Sequence, residues 1–155
     1  MSIKDRLMED MKAAMKAREE GKTRLSVIRL ARAAIKNAEV DQMKQLDDAG
    51  VIPVLAREVK QRRDAIAEYR NLGRQDAVEA LEEEIAILME YLPEQLSEDD
   101  VRKTAEEAIR EVGARGPADL GKVMGVLMPK VRGKADGRLV NQVVRSLLED
   151  VGKNG

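Results

Sequence analysis

Six basic residues recur at short intervals in "GKVMGVLMPKVRGKADGRLVNQVVRSLL", which runs from Gly121 to Leu148: Lys122, Lys130, Arg132, Lys134, Arg138 and Arg145. Lys and Arg at this density are the chemistry of phosphate recognition, because each cationic contact displaces condensed counterions from a polyanion. The same stretch holds Gly121, Gly125, Gly133 and Gly137, although glycine inside a helix costs about 0.5–1 kcal/mol relative to alanine. Gly121 and Gly125 stand four apart and so share one helical face. There they allow a second backbone to come close, either that of a neighbouring helix or a ribose-phosphate. Gly133 and Gly137 flank a tight turn, "RGKADG", on which Lys130, Arg132 and Lys134 can fan toward phosphates. With no aromatic residue in the stretch, stacking on unpaired bases is not expected, and RNA would be recognised by shape. Asn141, in the middle of the following helix, is expected to cap or brace the preceding turn, with contact to RNA as the alternative.

Much other chemistry is excluded. Without cysteine or histidine there is no thiolate, no imidazole base and no Cys- or His-ligated metal. Ser2, Ser26, Ser97 and Ser146 have no evident activating base. "GKVMG" lacks the spacing and the Gly-Lys-Ser/Thr ending of a phosphate-binding loop. Glu82, Glu83 and Glu84 are consecutive, so on a helix they diverge and read as solvated surface. No catalytic residue, metal or cofactor is expected. The opening "MSIKDRLMED" is charged from Lys4 and has no apolar core of signal-peptide length, and no run approaches the roughly 20 apolar residues of a membrane span. A cytoplasmic protein without membrane association is expected.

The residues that must position this chemistry are helix formers. The chain has 155 residues, 43% hydrophobic and 37% charged, with only Tyr69 and Tyr91 as aromatics. A Leu/Ile/Val/Met/Ala core with abundant Glu, Lys and Arg and no period-two alternation predicts an all-α fold. Ser2 with Asp5 makes a capping box, and Gly21 is expected to end the first helix in a left-handed conformation. Thr23 opens a second helix, a third begins between Asp48 and Pro53, and "NLGRQ" separates it from a fourth that ends before Pro93. Ser97 with Asp100 makes a second capping box, with Leu96 and Val101 as its staple. "GARGP" and "VRGKADG" then divide three shorter helices, the last running from Gly137 to Glu149 behind an Asp136 cap. The expected organisation is an N-terminal four-helix domain, 1–92, followed by a small three-helix domain, 97–150.

Charge is segregated. Residues 120–148 carry the six cations above against Asp136 alone, a net +5; residues 16–36 carry seven cations against Glu19 and Glu20, also +5. Residues 76–90 hold six acids and no base. Either basic and acidic helices pair with one another, or a basic face is exposed. "KQRRD", Lys60–Asp64, reads as a solvated helix face, with extension of the basic footprint as the alternative.

"GKVMGVLMPKVRGKADGRLVNQVVRSLL", together with "YLPEQLSEDDVRK" and "EVKQRRDAIAEY", resembles the YqeY family over nearly the whole chain. The C-terminal part is similar to the tail domain of GatB, a component of the glutamine-dependent aspartyl/glutamyl-tRNA amidotransferase. The resemblance implies a helical domain followed by a three-helix domain and a tRNA-linked role without catalytic domains. A non-catalytic, tRNA-contacting accessory module is the expected function, with an amidotransferase or an aminoacyl-tRNA synthetase as protein partner. A helical protein–protein adaptor is the alternative. A carbon–nitrogen ligase using glutamine as amido-nitrogen donor ranks third, for want of a nucleophile.

Overall fold

The computed structural model describes residues 1–154. Among them every regular element is a helix, as the composition predicts. The chain forms two compact units, Met1–Pro93 and Glu94–Gly155.

The first unit contains α1 (Ile3–Lys16), α2 (Lys22–Gln42), α3 (Asp48–Asn71) and α4 (Gln75–Met89). At the start of α1 the Asp5 N–H donates to Ser2 Oγ at 3.0 Å and the Ser2 N–H to Asp5 Oδ2 at 3.3 Å. Two backbone donors that helical bonding would leave unpaired are thereby satisfied. Asp47 caps α3 by accepting from the Gly50 N–H at 3.0 Å. Leu7, Ile28, Leu55 and Leu88, one from each helix, are essentially inaccessible in a shared core. Burying a side chain of this size stabilises by about 1.5–3 kcal/mol.

Gly21 does not end α1 as expected. The left-handed residue is Arg18, at φ 53°, and a short 3₁₀ turn over Arg18–Gly21 leads into α2. Gly21 is buried at φ −94°, and a Cβ there would lie 2.2 Å from the Ala14 carbonyl oxygen. It is a glycine of close approach, letting the turn lie against α1.

The acidic helix is not reserved for the basic one. Arg24 of α2 bonds Glu90 at 2.6 Å, but α3 engages α4 more extensively. Arg62 reaches Glu84 at 3.1 Å and Glu58 at 3.7 Å, and Arg70 reaches Glu82 at 3.3 Å. Arg62 is therefore a largely buried tie between two helices, not part of a solvated face; its side chain is 11% exposed. Beyond α4, Tyr91 is buried and donates to Asp10 of α1, while the Arg6 guanidinium lies 5.0 Å from its ring centre. Burial, reinforced by the Asp10 carboxylate, raises the phenol's pKa above its ordinary value.

The second unit is α5 (Glu98–Val112), α6 (Leu120–Val131) and α7 (Gly137–Asn154). Its core joins Val101 and Ala105 to Val123, Leu127 and Val131, and to Val140, Val144 and Leu148. The Ser97–Asp100 capping box forms, and Gly113 ends α5 at φ 66°, where glycine avoids the Cβ clash of left-handed backbone. A 3₁₀ turn at Pro117–Asp119 precedes α6. Pro129 lies inside α6, and α7 extends past Glu149 to Asn154.

Candidate nucleic-acid interface

Successive residues of an α-helix are about 100° apart, so positions two apart lie nearly opposite each other. On α6 this separates Val123, Leu127 and Val131, all fully buried, from Gly121, Gly125 and Pro129, all exposed. A Cβ at Gly121 or Gly125 would meet nothing within 4 Å. Among the described residues, packing of a neighbouring helix of the second unit is therefore excluded as the reason for these glycines. They create a bare strip facing away from the core. Pro129 extends it, and because its nitrogen carries no hydrogen it returns no bond to the Gly125 carbonyl. Lys122, Val126 and Lys130 run along one side of the strip; Leu120, Met124 and Met128 run along the other.

The turn from α6 to α7 is closed by its own backbone. Lys134 and Ala135 N–H groups donate to the Val131 carbonyl at 2.8 and 3.1 Å, and Gly133 stands at φ 79°. Two bonds then tie this turn to the segment before α5: Gln95 Nε2 to the Gly133 carbonyl and the Leu96 N–H to the Lys134 carbonyl, each 2.8 Å. Gly133 is buried while Arg132 and Lys134 remain exposed, so the carbonyls are held inward and the charges outward. Sequence reasoning missed Gln95 and Leu96 as supports of the turn; nothing in "PEQLS" marks an amide that bonds 38 residues away.

The six cations fall into different settings. Lys130 belongs to the last turn of α6, not to the loop, and pairs with Glu111 at 3.1 Å; both side chains are about half exposed, so water screens the pair and it contributes little stability. Among the described residues no acid stands at ion-pair distance from Lys122, Arg132, Lys134 or Arg145. Arg138 is exposed at the start of α7, where its N–H donates to Asp136 Oδ1 at 2.9 Å. Lys122 lies about 12 Å along α6 from Lys130, and Arg145 about 10 Å along α7 from Arg138, at 1.5 Å per residue. Gly137 is an ordinary first-turn residue of α7 in open space and neither strained nor closely approached. Asn141 does not brace the preceding turn through its amide: the residue is half-buried and its side chain has no hydrogen-bond partner among the described residues.

The described residues hold no cluster of three acids able to hold a metal ion, and no helix long and apolar enough to cross a membrane. Two all-helical units, the second with a bare basic face, define a helical protein with an exposed cationic surface. Residues 4–148 match the model of the YqeY-like protein family, so the chain belongs to that family. It is 29% identical to altered inheritance of mitochondria protein 41, mitochondrial, of Pyrenophora tritici-repentis, over 92% of this chain and 79% of that protein. The protein of the same name from Lachancea thermotolerans is 38% identical over 56% of this chain and 46% of its own length. An E-type glutamyl-tRNA(Gln) amidotransferase component of Thermococcus sibiricus is 48% identical over 59 residues, which are 36% of this chain. The match spans only 9% of that archaeal polypeptide.

Proposed function

We propose that this protein is a non-catalytic accessory module that contacts tRNA through the α6–α7 face of its second unit, in association with glutamine-dependent tRNA amidation. The observation that carries the reading is the bare Gly121–Gly125–Pro129 strip with Lys122 along its side and Arg132 and Lys134 on the turn beyond it, cations that lack acidic partners among the described residues. A strip without side chains suits the approach of a sugar-phosphate backbone, and unpaired cations beside it can take the place of counterions. The similarity to a short part of a tRNA amidotransferase component supports the tRNA context and an amidotransferase as partner. The reading assigns no chemical step to this chain. It applies equally in the cytoplasm, expected from the sequence, and in the mitochondrion named for the fungal relatives, since charged tRNA is used in both.

The test is tRNA binding by the full chain across a salt series. Three to five phosphate contacts imply a log–log slope of about −2 to −4. Changing Lys130, Arg132 and Lys134 together to alanine should weaken binding and flatten the slope by somewhat under about one unit for each lost contact. Helix content and melting should hold, because exposed charges contribute little stability. Unchanged affinity and slope would remove this face as the RNA site and leave the adaptor reading in its place.

A further inference from the structure

The exposed face of α2 has a pattern unlike that of α6. Ser26, Leu30, Ala33, Asn37 and Val40 follow alternating spacings of four and three, the repeat of a coiled-coil seam, and every one is exposed. Leu30 is 52% and Val40 65% exposed. The opposite face, through Ile28, Ala31 and Ile35, is buried in the core, so the seam is additional to the stripe that folds the helix. Lys22, Arg29 and Lys36 recur every seven residues along one flank. Among the described residues no ion pair engages Lys22 or Arg29. Glu39, near enough to feel the Lys36 charge, is committed to Lys4 Nζ at 2.6 Å. Beside this flank lies a cleft of about 580 Å³ between α1 and α2, lined by Leu7 and Met8 together with Arg29, Ala33 and Lys36.

We infer that this face docks an amphipathic α-helix of another protein, whose apolar stripe covers Leu30, Ala33 and Val40 and whose flanking row is Asp/Glu. Heptad-spaced charges lie about 10.5 Å apart along a helix, a spacing that a partner helix reproduces. Small Ala33 beside the cleft gives a partner side chain room to enter, and Asn37 supplies the polar seam position that fixes register. RNA fits this face less well, because it would leave Leu30 and Val40 without apolar contact. A second copy of the chain fits poorly too. Paired antiparallel, it sets Lys22, Arg29 and Lys36 against themselves; paired parallel, it offers them only Ala34 and a single acid, Asp41, since Val27 at the remaining position is buried in the core. The inference does not depend on the RNA reading, which concerns the other unit.

The test uses ¹⁵N-labelled full chain and a designed three-heptad helical peptide with leucine in its seam and glutamate on its flanks, beside the same peptide with lysine flanks. The glutamate peptide should shift resonances along residues 23–40 and at Met8, and the lysine peptide should not. Leu30→Glu with Val40→Glu should weaken binding by more than about tenfold, the loss expected from removing apolar burial of this size. Both sites are exposed, so the melting temperature should hold. Arg29→Glu with Lys36→Glu should transfer preference to the lysine peptide. Equal response to both peptides, or shifts elsewhere, would overturn the inference. So would tRNA that shifts the same α2 residues, or a dimer in sedimentation that Leu30→Glu dissociates.

Discussion

The exposed faces of α2 and α6 draw most of their length from stretches of net charge +5, residues 16–36 and 120–148, yet they differ down the middle. Along α2 the centre is filled by Leu30, Ala33 and Val40; along α6 it is emptied by Gly121, Gly125 and Pro129. A cationic border selects an anionic partner in both cases. What lies between the charges selects its shape: side chains that can interdigitate favour a helix, and a bare strip favours a smooth backbone. Equal net charge therefore says little about what a surface recognises.

The contrast is broken most severely at the glycines themselves. Gly21→Ala places a methyl group 2.2 Å from the Ala14 carbonyl oxygen, a backbone atom that cannot move without displacing a helix. It should cost about 2–3 kcal/mol, as overpacking does. Gly125→Ala meets open space and should stabilise by about 0.5–1 kcal/mol through helix propensity. Thermal unfolding of the two variants should move in opposite directions; a destabilised Gly125→Ala would show that the α6 strip is held by packing after all.

Filling the strip sharpens the functional side. Gly121→Leu with Gly125→Leu should weaken tRNA binding by about tenfold, a loss of roughly 1.4 kcal/mol, without reducing stability, because contact is blocked while no charge is removed. Leu30→Glu, on the other face, should leave tRNA affinity within about twofold at matched salt, allowing for its one added negative charge. A filled strip that binds tRNA normally would mean that the cations act without close backbone approach.

A smaller effect should come from the support of the turn. Gln95→Ala removes the bond to the Gly133 carbonyl while keeping every cation. A net loss of about 0.5–1.5 kcal/mol is expected for one such hydrogen bond, with a few-fold loss of tRNA affinity at an unchanged salt slope. A change in slope instead would mean that Gln95 alters the number of phosphate contacts and not only their arrangement.

The smallest effect concerns pH in the first unit. Glu39 lies below its ordinary pKa of 4.5, chiefly through the bond from Lys4 and then that from the Leu46 N–H. A depressed carboxyl adds stability above its unfolded-state pKa and loses it as pH falls through the folded value. The stability difference between wild type and Glu39→Gln should therefore be constant near neutrality and shrink as pH drops below about 4.5. Denaturant midpoints against pH would show this, and a constant gap down to acid would remove Glu39 as the titrating group.

Local signals were legible in the sequence. Ser2 with Asp5 and Ser97 with Asp100 identify helix starts because a capping box is completed within four residues. Gly113 marks a helix end in the same way. The valine and leucine stripes of α6 and α7 reveal their buried faces because helical periodicity alone sorts inside from outside. The six cations of 120–148 were legible as a group, and so was their departure from a balanced surface. Their settings were not: Lys130 meets Glu111 of another helix, and Lys134 sits on a turn held by Leu96, contacts made only when distant segments pack.

Glycine divides the two levels most clearly. The residue type announces that a side chain is absent but not what occupies the vacated space. At Gly21 the space is taken by the α1 backbone, at Gly133 it permits a left-handed turn, and at Gly121 and Gly125 it is left open. The sequence alone determined the all-helical fold, the two capping-box starts, the Gly113 stop and the excess of cations, because each follows from interactions within one or two helical turns. Which glycine is packed and which is bare, and which cation has a partner, was decided by the tertiary structure, because those distances depend on how whole helices lie against one another.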